Sequence, residues 1–455
     1  MKNFLITFVF VLCTPCALQL NAQVMTTFVG TPHVLGFSGD GGPAGDAELD
    51  VPYSVAVDMK GDIYFVDFFN FRVRKVNTSG IITTIVGGGS DLTIEGIPAT
   101  DALIGPLSVA ADAFGNLYAA DDDGFVVKMD TNGILTTFAG SGLLGYTGDG
   151  GPATAAAIGA PEIVAIDKKG NVYFADNANF VVRKVNTAGI ISTVAGNASL
   201  GGVYSGDGGA ALSAGLDYMG GLAVDNNGNL FISDYVNCVI RKVDTFGIIN
   251  RIAGPVPIFG IYSNGCSGDG GPAIAAFLCQ PMGLSVDRNG NLYICDQGNQ
   301  AIREINSLGI INTVAGEDTL IGYSGDGDAA TNAKLSEPIA VALDSTGDIY
   351  IADYGNAVIR KVIINGVAGV KNINSVSPIN IFPNPVTSGN LLKINNVPGN
   401  SSYSISTIVG ETLQQGRLQQ GDNTISVSTL PPDVYLLEIT AADGTKTVTK
   451  IIKQG

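Results

Sequence analysis

The sequence contains no tryptophan and a single histidine, His33. A histidine-rich metal centre is therefore excluded, and a Ser-His-Asp triad would have no second choice of base. Aromatic residues make up only 7% of the chain and charged residues 14%, whereas glycine occurs 61 times. That composition favours many short strands joined by tight turns over helices, so we expect an all-β protein.

Positive charge is also scarce, with 24 Lys and Arg residues against 41 Asp and Glu residues and a formal net charge of -17. The phosphate backbone of a nucleic acid and the surface of an anionic membrane would both be repelled by such a chain. Neither is predicted as a partner. Cations and basic surfaces are more natural ligands.

Long apolar runs are confined to the N-terminus, where Lys2 precedes an apolar stretch over residues 4–12 and small and polar residues at 21–23. This pattern predicts an export signal over residues 1–23. The stretch is too short for a convincing membrane span, so no transmembrane segment is predicted in the mature chain.

Cysteine is rare, and two of the six, Cys13 and Cys16, lie within the predicted signal. Of the others, Cys266 and Cys279 share one long loop and form the candidate disulfide for an oxidising compartment. Buried free thiols are the alternative, and we prefer that interpretation for Cys295, which occupies an Ala or Ser position of the other repeats. No CxxC pair outside the signal indicates a metal site.

What the sequence does contain is one unit repeated six times. Each copy combines a short segment such as IISTVAG at residues 190–196 with a longer segment in which a second Asp follows the first by nine residues. The pairs are Asp58 and Asp67, Asp112 and Asp121, Asp167 and Asp176, Asp225 and Asp234, Asp287 and Asp296, and Asp344 and Asp353. Each longer segment predicts a three-strand meander, and the short segment adds a fourth antiparallel strand.

One such sheet cannot bury both of its faces, so six copies predict a six-bladed β-propeller over residues 24–363. The chain begins with a fourth-strand segment at residues 24–30 and finishes its last meander without a well-spaced fourth strand. We therefore predict that the N-terminal strand completes the sixth blade and removes exposed sheet edges. The competing candidate for that place is GVAG at residues 366–369.

The strings GLSVDRNGNLYICDQGNQAIREI at residues 283–305 and GNVYFADNANFVVRKV at residues 170–185 resemble NHL repeats, which form six-bladed propellers. The resemblance covers about three quarters of the chain, in six copies that hold their register. It implies the fold and leaves the function open, because propellers of this family bind proteins or RNA and, more rarely, act as enzymes.

The repeat ends near residue 364, where an Asn- and Ser-rich linker over residues 364–377 is predicted before a second domain at residues 378–455. This second domain resembles the C-terminal sorting domain of the Bacteroidetes type IX secretion system through FPNP at residues 382–385, Tyr435 and the basic residues Lys446, Lys450 and Lys453. The glycine that usually precedes the tyrosine is replaced by PPD at residues 431–433.

The resemblance implies recognition by the type IX machinery through residues 378–455. It also implies a secreted or outer-membrane, cell-surface location. An ordinary adhesive β-sandwich is the alternative interpretation.

An acidic residue lies in the crossover between consecutive blades, usually within Gly-Asp-Gly. Clustered oxygen ligands suit calcium, so these aspartates are candidate metal ligands: Asp40, Asp149, Asp207, Asp269 and Asp326. The alternative is a structural turn, in which the aspartate satisfies nearby amides and the glycines permit positive φ. We prefer the turn, because each loop supplies one acid and a calcium loop needs several.

An arginine lies seven residues after the second Asp in five copies (Arg74, Arg183, Arg241, Arg303 and Arg360), a spacing that suits a charged pair bracing neighbouring strands or blades. The second copy departs from this pattern, with three consecutive aspartates at 121–123 and Val127 and Lys128 where the others have Arg-Lys. The candidate ligand-binding residues are therefore Glu95, Asp121, Asp122 and Asp123. Simple sequence drift is the alternative.

Two functions follow. The first is a secreted or cell-surface, non-enzymatic binding protein that presents an acidic loop face to a protein or glycan ligand. Loops of variable length on a rigid scaffold are where binding is expected. The alternative is a secreted lactonase- or lyase-like enzyme with a carboxylate-bound metal at the mouth of the propeller channel.

Overall fold

A computed structural model provides the fold. It describes residues 23–257, 267–317, 319–364, 380–382, 386, 390–397, 401–407, 412–441 and 446–453. Between Val24 and Ile363 the chain forms six antiparallel sheets, and a further two sheets follow near the C-terminus. The predicted all-β, six-bladed propeller is confirmed, as is a β-sandwich in the C-terminal part.

The six sheets are the six blades, numbered along the chain. Blade 1 comprises β2 (Pro52–Val57), β3 (Ile63–Asp67), β4 (Arg72–Val76) and β5 (Ile82–Gly87). Blade 2 comprises β7 (Pro106–Ala111), β8 (Leu117–Asp121), β9 (Phe125–Met129) and β10 (Ile134–Ala139), with β6 (Ile97–Pro98) at its outer edge. Blade 3 comprises β11 (Pro161–Ile166), β12 (Val172–Asp176), β13 (Val181–Val185) and β14 (Ile191–Ala195).

Blade 4 comprises β16 (Met219–Val224), β17 (Leu230–Asp234), β18 (Val239–Val243) and β19 (Ile248–Ala253), with β15 (Gly209–Ala210) at its edge. Blade 5 comprises β21 (Pro281–Val286), β22 (Leu292–Asp296), β23 (Ala301–Ile305) and β24 (Ile310–Ala315), edged by β20 (Gly271–Pro272). Blade 6 comprises β25 (Pro338–Leu343), β26 (Ile349–Asp353) and β27 (Val358–Ile363), completed by β1 (Val24–Val29).

The N-terminal strand closes the ring as predicted. Val24 of β1 lies opposite Ile363 of β27, and Thr27 lies opposite Arg360. The competing segment at residues 366–369 lies outside the described residues. Because the first strand of every blade also contacts the first strands of both neighbouring blades, the six blades form a closed circle around a central channel.

Short 3-10 helices recur at two positions of the repeat. One set lies in the crossovers: Ala44–Asp46, Ala99–Asp101, Ala153–Ala155, Ala211–Ser213, Ala273–Ala275 and Ala330–Asn332. A second set follows the second Asp of the repeat: Phe68–Asn70, Asn177–Asn179, Gln297–Asn299 and Tyr354–Asn356, while Ala198–Leu200 lies in the blade 4 crossover. Both sets keep the connections compact, so the loops are held against the sheets.

The first Asp of each repeat builds the turn between the first two strands. In blade 1 its side-chain oxygen Asp58 Oδ1 accepts hydrogen bonds from the backbone N–H groups of Lys60 (2.8 Å) and Asp62 (2.9 Å). The other five first Asp residues accept the same pair of bonds. This local bond fixes the turn within each copy and explains the repeated Asp.

The core lies between blades. For example, Ile232 of blade 4 is buried together with Ala175 and Val182 of blade 3. Alternating strand residues on each sheet face a neighbouring blade, so each blade buries both faces only when its neighbours are present.

Near the C-terminus, β28 (Asn380–Phe382), β29 (Leu391–Val397) and β32 (Gly421–Ser426) form one sheet. The second sheet comprises β30 (Ser401–Thr407), β31 (Thr412–Leu418), β33 (Asp433–Thr440) and β34 (Lys446–Lys453). Ile394, Ile405 and Leu437 are buried between them.

Tyr435 belongs to the same core, and its hydroxyl donates a 2.8 Å hydrogen bond to the carbonyl oxygen of Pro431. The PPD segment that departs from the usual glycine is therefore held by the tyrosine of the motif. Residues 383–385 of the FPNP motif lie outside the described residues.

Candidate functional site

Blade 1 shows how a crossover is fastened to its sheet. The buried Arg74 guanidinium donates from Nη2 to Asp40 Oδ1 at 2.8 Å and from Nη1 to Asp67 Oδ2 at 3.3 Å. The same Nη2 also reaches the carbonyl oxygen of Ser38 at 2.6 Å. Gly39 (φ +92°) lets the chain turn so that Ser38 and Asp40 face the same nitrogen.

We call this arrangement the arginine clamp, and it recurs in blades 3 to 6. The guanidinium–carboxylate pairs are Arg183 with Asp149 and Asp176, Arg241 with Asp207 and Asp234, Arg303 with Asp269 and Asp296, and Arg360 with Asp326 and Asp353. The predicted charged pair between neighbouring strands is confirmed. It extends further than predicted, because the same arginine also binds the crossover acid.

An aromatic ring covers the arginine in four of the clamps. Tyr146, Tyr204 and Tyr323 lie 5.1, 4.5 and 4.7 Å from the guanidinium carbons of Arg183, Arg241 and Arg360, respectively. In blade 1 the ring is Phe37, 4.9 Å from Arg74. A cation between an aromatic face and carboxylates is thus a combination that this fold uses repeatedly.

The clamps bear on the candidate calcium ligands. The carboxylates of Asp40, Asp149, Asp207, Asp269 and Asp326 each lie within 2.9 Å of an arginine nitrogen, so their charge is already compensated. Asp40 also accepts a hydrogen bond from the Thr84 N–H at 3.0 Å on the adjoining strand. Asp40 is therefore bonded to an arginine and to the adjoining strand. The sequence predicted a local turn, so these aspartates have a structural role that rests on bonds other than the predicted ones. Calcium binding at these residues stays a prediction.

Blade 2 has no clamp. Val127 occupies the arginine position, since it lies opposite Ala119 on β8 just as Arg74 lies opposite Phe65 on β3. Lys128 lies over the Tyr118 ring at 5.6 Å, in the same manner as Lys75 over Tyr64 in blade 1. Among the described residues, no salt bridge reaches Asp121, although this residue is as deeply placed as the clamped aspartates.

Burial raises the pKa of the clamped aspartates, to about 6 for Asp67 and Asp353, and the pKa of Asp121 lies somewhat higher. Burial, together with the neighbouring Asp122 carboxylate, raises the pKa of Asp121 to about 7. Its Oδ1 accepts hydrogen bonds from the N–H groups of Gly105 (3.2 Å) and Asp123 (3.3 Å). Asp122 and Asp123 are exposed, and the three carboxylates lie within 4.8 Å of one another.

The remaining predicted site residues are Glu95 and the two cysteines of the candidate disulfide. Glu95 accepts a 3.2 Å hydrogen bond from the N–H of Thr137. This bond corresponds to the one that Asp40 accepts from the Thr84 N–H in blade 1, and it involves no arginine. Cys266 lies outside the described residues, so its disulfide with Cys279 stays a prediction. Cys295 is a buried thiol, as the alternative interpretation expected, and so is Cys238.

The crossovers also expose apolar side chains on the loop face, the end of the propeller that carries the crossovers and the loops after the second Asp. Asn70 and Asn356 locate them there, because their side chains donate to the carbonyl oxygens of Gly36 and Gly322 at 2.8 Å. The most exposed apolar residue of five crossovers belongs to what is here called the apolar rim: Leu35 (63% exposed), Leu92 (78%), Leu144 (76%), Val203 (59%) and Ile321 (66%).

The central channel ends on the same face and holds a small cavity. The first strands of the blades line a cavity of about 70 Å³, and Ser54, Gly221 and Met282 are among its walls. Ligand pockets are usually several hundred Å³. This cavity is smaller than an ordinary ligand pocket.

The mouth is closed by side chains from four blades, here called the mouth cluster: Tyr53, Phe68, Glu162, Tyr218, Tyr235 and Tyr354. The Tyr218 hydroxyl donates to Glu162, and the rings of Tyr218 and Tyr235 meet edge to face at 5.6 Å. Tyr53 stacks on Phe68 at 5.0 Å and meets Tyr354 at 6.2 Å. Burial raises the pKa of Tyr53, and the Glu162 carboxylate adds to this effect.

The sequence prediction missed this cluster, although a signal for it existed. Tyr53 and Glu162 are the second residues of their first strands, and the corresponding residues in the other blades are Leu107, Gly220, Met282 and Ile339. Phe68, Tyr235 and Tyr354 directly follow the second Asp, a position where the other blades have Asp122, Asn177 and Gln297. When the six repeats are aligned, the positions at which they differ would have indicated the residues at the mouth.

Comparison with known families supports both parts of the chain. The model of the teneurin NHL domain matches residues 14–102, 144–203 and 259–324. The model of the secretion system C-terminal sorting domain matches residues 380–454. Among the described residues, no helix has both the length and the apolar character needed to span a membrane.

Individual relatives resemble the propeller. Mouse teneurin-3 is 28% identical over 400 residues, which is 82% of this chain and 14% of that protein. Human teneurin-1 is 26% identical over 373 residues, or 75% of this chain and 13% of that protein. The chain thus corresponds to about one seventh of the length of these relatives.

Solved structures show the same fold at low identity. A Bacteroides thetaiotaomicron protein of unknown function superimposes with a TM-score of 0.55 at 19% identity and covers 75% of this chain and 76% of its own. An auxiliary nutrient binding protein from Bacteroides ovatus has a TM-score of 0.53 at 16% identity, with the same coverage of both chains.

Proposed function

Because this chain is an NHL-repeat six-bladed β-propeller protein with a C-terminal secretion-system sorting domain, we propose that it is an exported binding protein. In this proposal the loop face of the propeller, whose candidate binding residues include Glu95 and the aspartates at 121–123, holds a protein or glycan ligand. The sorting domain directs the chain to the cell surface or the outer membrane.

The apolar rim is the observation that carries the binding proposal. Leu35, Leu144 and Ile321 extend from three different blades, and each is more than 60% exposed on loops that are fastened to the sheets. Apolar side chains that are held exposed on loops fastened to a rigid scaffold are available for contact with a ligand. The rim, the mouth cluster and the acids of blade 2 all belong to the loop face.

A pair of substitutions on the loop face tests the proposal. We expect Leu144→Asp combined with Ile321→Asp to weaken ligand binding at least about tenfold, because apolar contact area is replaced by charge. The matched control is Phe114→Asp with Phe246→Asp, which changes two exposed apolar residues in turns at the opposite end of the sheets.

The measurement is binding of the chain from residue 24 onward to a glycan array and to purified outer-surface proteins. A ligand found in this way should bind the wild-type chain and the control pair equally. If the loop-face pair binds with unchanged affinity, the loop face is not the binding surface.

Export is tested separately. We propose that residues 378–455 are recognised by the type IX secretion machinery. Removing them in a bacterium that possesses this system should retain the propeller inside the outer membrane, and attaching them to an exported reporter should carry the reporter to the surface. An unchanged location of both proteins would contradict this assignment.

A further inference from the structure

The mouth cluster contains a carboxylate without a cation. Glu162 is half-buried and accepts a hydrogen bond from the Tyr218 hydroxyl. No lysine or arginine among the described residues forms a salt bridge with it. Burial raises the pKa of Glu162, while hydrogen bonds from Tyr218 and Asn177 act in the opposite direction. Its neighbours are therefore neutral donors, and the charge is left uncompensated.

Aromatic rings lie close to this carboxylate, which is hydrogen-bonded to the Tyr218 hydroxyl. Tyr218 and Tyr235 of blade 4 meet edge to face beside it, and Tyr53 of blade 1 stacks on Phe68. All four side chains are only partly buried, so their remaining surface is open on the loop face. Aromatic faces carry negative electrostatic potential and attract cations, with a preference for the flat guanidinium group.

The arginine clamps show that an aromatic ring beside a carboxylate binds a guanidinium group in this fold. In blades 1, 3, 4 and 6 an arginine lies between an aromatic ring and carboxylates, as Arg241 does between Tyr204 and the pair Asp207 and Asp234. The mouth cluster presents the ring and the carboxylate of this arrangement and lacks the arginine. The net charge of -17 on the whole chain would in addition attract a basic partner from a distance.

We propose that the mouth cluster binds an arginine side chain of a protein partner, with Glu162 as the counter-charge and the rings of Tyr53, Tyr218 and Tyr235 packed against the guanidinium group. This inference rests on the proposed binding function and narrows its ligand to a protein with an exposed arginine. A sugar would also stack on the rings but would not require the negative charge of Glu162, so the two ligand classes respond differently to loss of that charge.

The probe is a tetra-arginine peptide, titrated calorimetrically into the chain from residue 24 onward at physiological salt. A tetra-citrulline peptide of the same length is the neutral control, because citrulline keeps the shape of arginine without its charge. We expect the citrulline peptide to bind at least about tenfold more weakly. Equal affinity of the two peptides would overturn the proposal.

The decisive variant is Glu162→Gln, which keeps the size of the side chain and its capacity to accept the Tyr218 hydrogen bond. We expect it to weaken binding of the arginine peptide about tenfold. Asp46→Asn is the matched control, because it removes the same charge from an exposed carboxylate in a crossover 3-10 helix. If both variants weaken binding equally, the peptide responds to net charge alone, and the site is not at the mouth.

Tyr53→Leu examines the rings. It should weaken binding of the arginine peptide, while Phe114→Leu, an exposed ring at the opposite end of the sheets, should leave binding within about twofold. Retained affinity in Tyr53→Leu would contradict the aromatic part of the proposal. The melting temperature of each variant shows that it is folded.

A neutral oligosaccharide whose binding is lost in Tyr53→Leu and kept in Glu162→Gln would assign the mouth to a glycan and overturn the arginine assignment. The proposed function and this inference fail in different ways. A ligand that depends on the apolar rim and ignores Glu162→Gln leaves the binding function standing and removes only the arginine site.

Discussion

Blades 1 and 2 have the same strands and the same turn aspartates, yet they treat the second Asp of the repeat in opposite ways. In blade 1 Asp67 is fully buried beside Arg74, and the same arginine fastens the crossover through Asp40. In blade 2 Val127 replaces the arginine, and Asp121 is buried beside two further aspartates. The difference teaches that the repeated charges stabilise the scaffold. Blade 2 keeps its fold without an arginine clamp, and its three aspartates have no arginine partner among the described residues.

Removal of a clamp arginine should have the largest effect. Arg183→Met leaves Asp176 buried without a cation, and we expect the free energy of unfolding to fall by about 3 to 5 kcal/mol. Lys128→Met in blade 2 is the control, with an expected loss of less than about 1 kcal/mol, because this lysine contacts a ring near the surface. Urea unfolding followed by circular dichroism measures both. Equal losses would mean that the clamp contributes no more than a surface lysine.

A pH-dependent difference should come next in size. The folded-state pKa of Asp121 is raised to about 7, from an ordinary value near 4, so folding favours its protonated form. The stability gained from this is complete below pH 4 and is lost as the pH rises through 7. Asp121→Asn cannot ionise, and its stability relative to wild type should increase by about 2 kcal/mol between pH 5 and pH 8.

The clamped residue Asp353 provides the comparison for this experiment. Asp353→Asn removes a carboxylate that lies 3.4 Å from Arg360 and whose pKa burial raises to about 6, so the stability of this variant relative to wild type should rise by only about 1 kcal/mol between pH 5 and pH 8. Urea midpoints at the two pH values decide the matter. A constant offset for Asp121→Asn would show that the aspartate does not titrate in this range.

Installing the missing arginine should have a smaller effect. In Val127→Arg the new guanidinium would lie near Asp121, as Arg74 lies near Asp67. We expect a favourable coupling free energy of about 1 kcal/mol between residues 127 and 121. A double-mutant cycle of Val127→Arg and Asp121→Asn isolates this coupling from any cost of packing the larger side chain. Zero coupling would indicate that blade 2 cannot adopt the clamp geometry.

Chelation should have the smallest effect. Because arginines compensate the crossover acids of five blades, we expect a chelator to lower the melting temperature by less than about 1 °C. Differential scanning calorimetry with and without calcium is the measurement. A decrease of several degrees that disappears in Asp207→Asn would establish calcium binding at these residues and would overturn the purely structural interpretation.

The repeat made the scaffold predictable. The nine-residue spacing of Asp58 and Asp67 indicated a hairpin, and the position of Arg74 indicated its charged partner. The fourth-strand pattern at residues 24–30 placed β1 in the last blade. The hairpin and the charged pair depend on residues that recur along the chain, and the place of β1 depends on the order of the segments. Recurrence and segment order are both visible in the sequence.

The site was less predictable, because its residues do not recur. The sequence singled out Asp121, Asp122 and Asp123 as an exception, and the structure brings their carboxylates together. The sequence gave no means of pairing Glu162 with Tyr218, since the two lie in different blades and at different positions of the repeat.

The sequence by itself determined the number of blades, the turn aspartates and the pairing of each arginine with the second Asp, because these arise from local hydrogen bonds and periodic strand patterns. Only the tertiary structure decided the composition of the channel mouth. Closing the ring brings Tyr53, Glu162 and Tyr218 together from three blades, and which side chains meet across the axis depends on their reach from opposite first strands. That geometry has no counterpart in sequence spacing, because the distance between blades around the ring is set by packing.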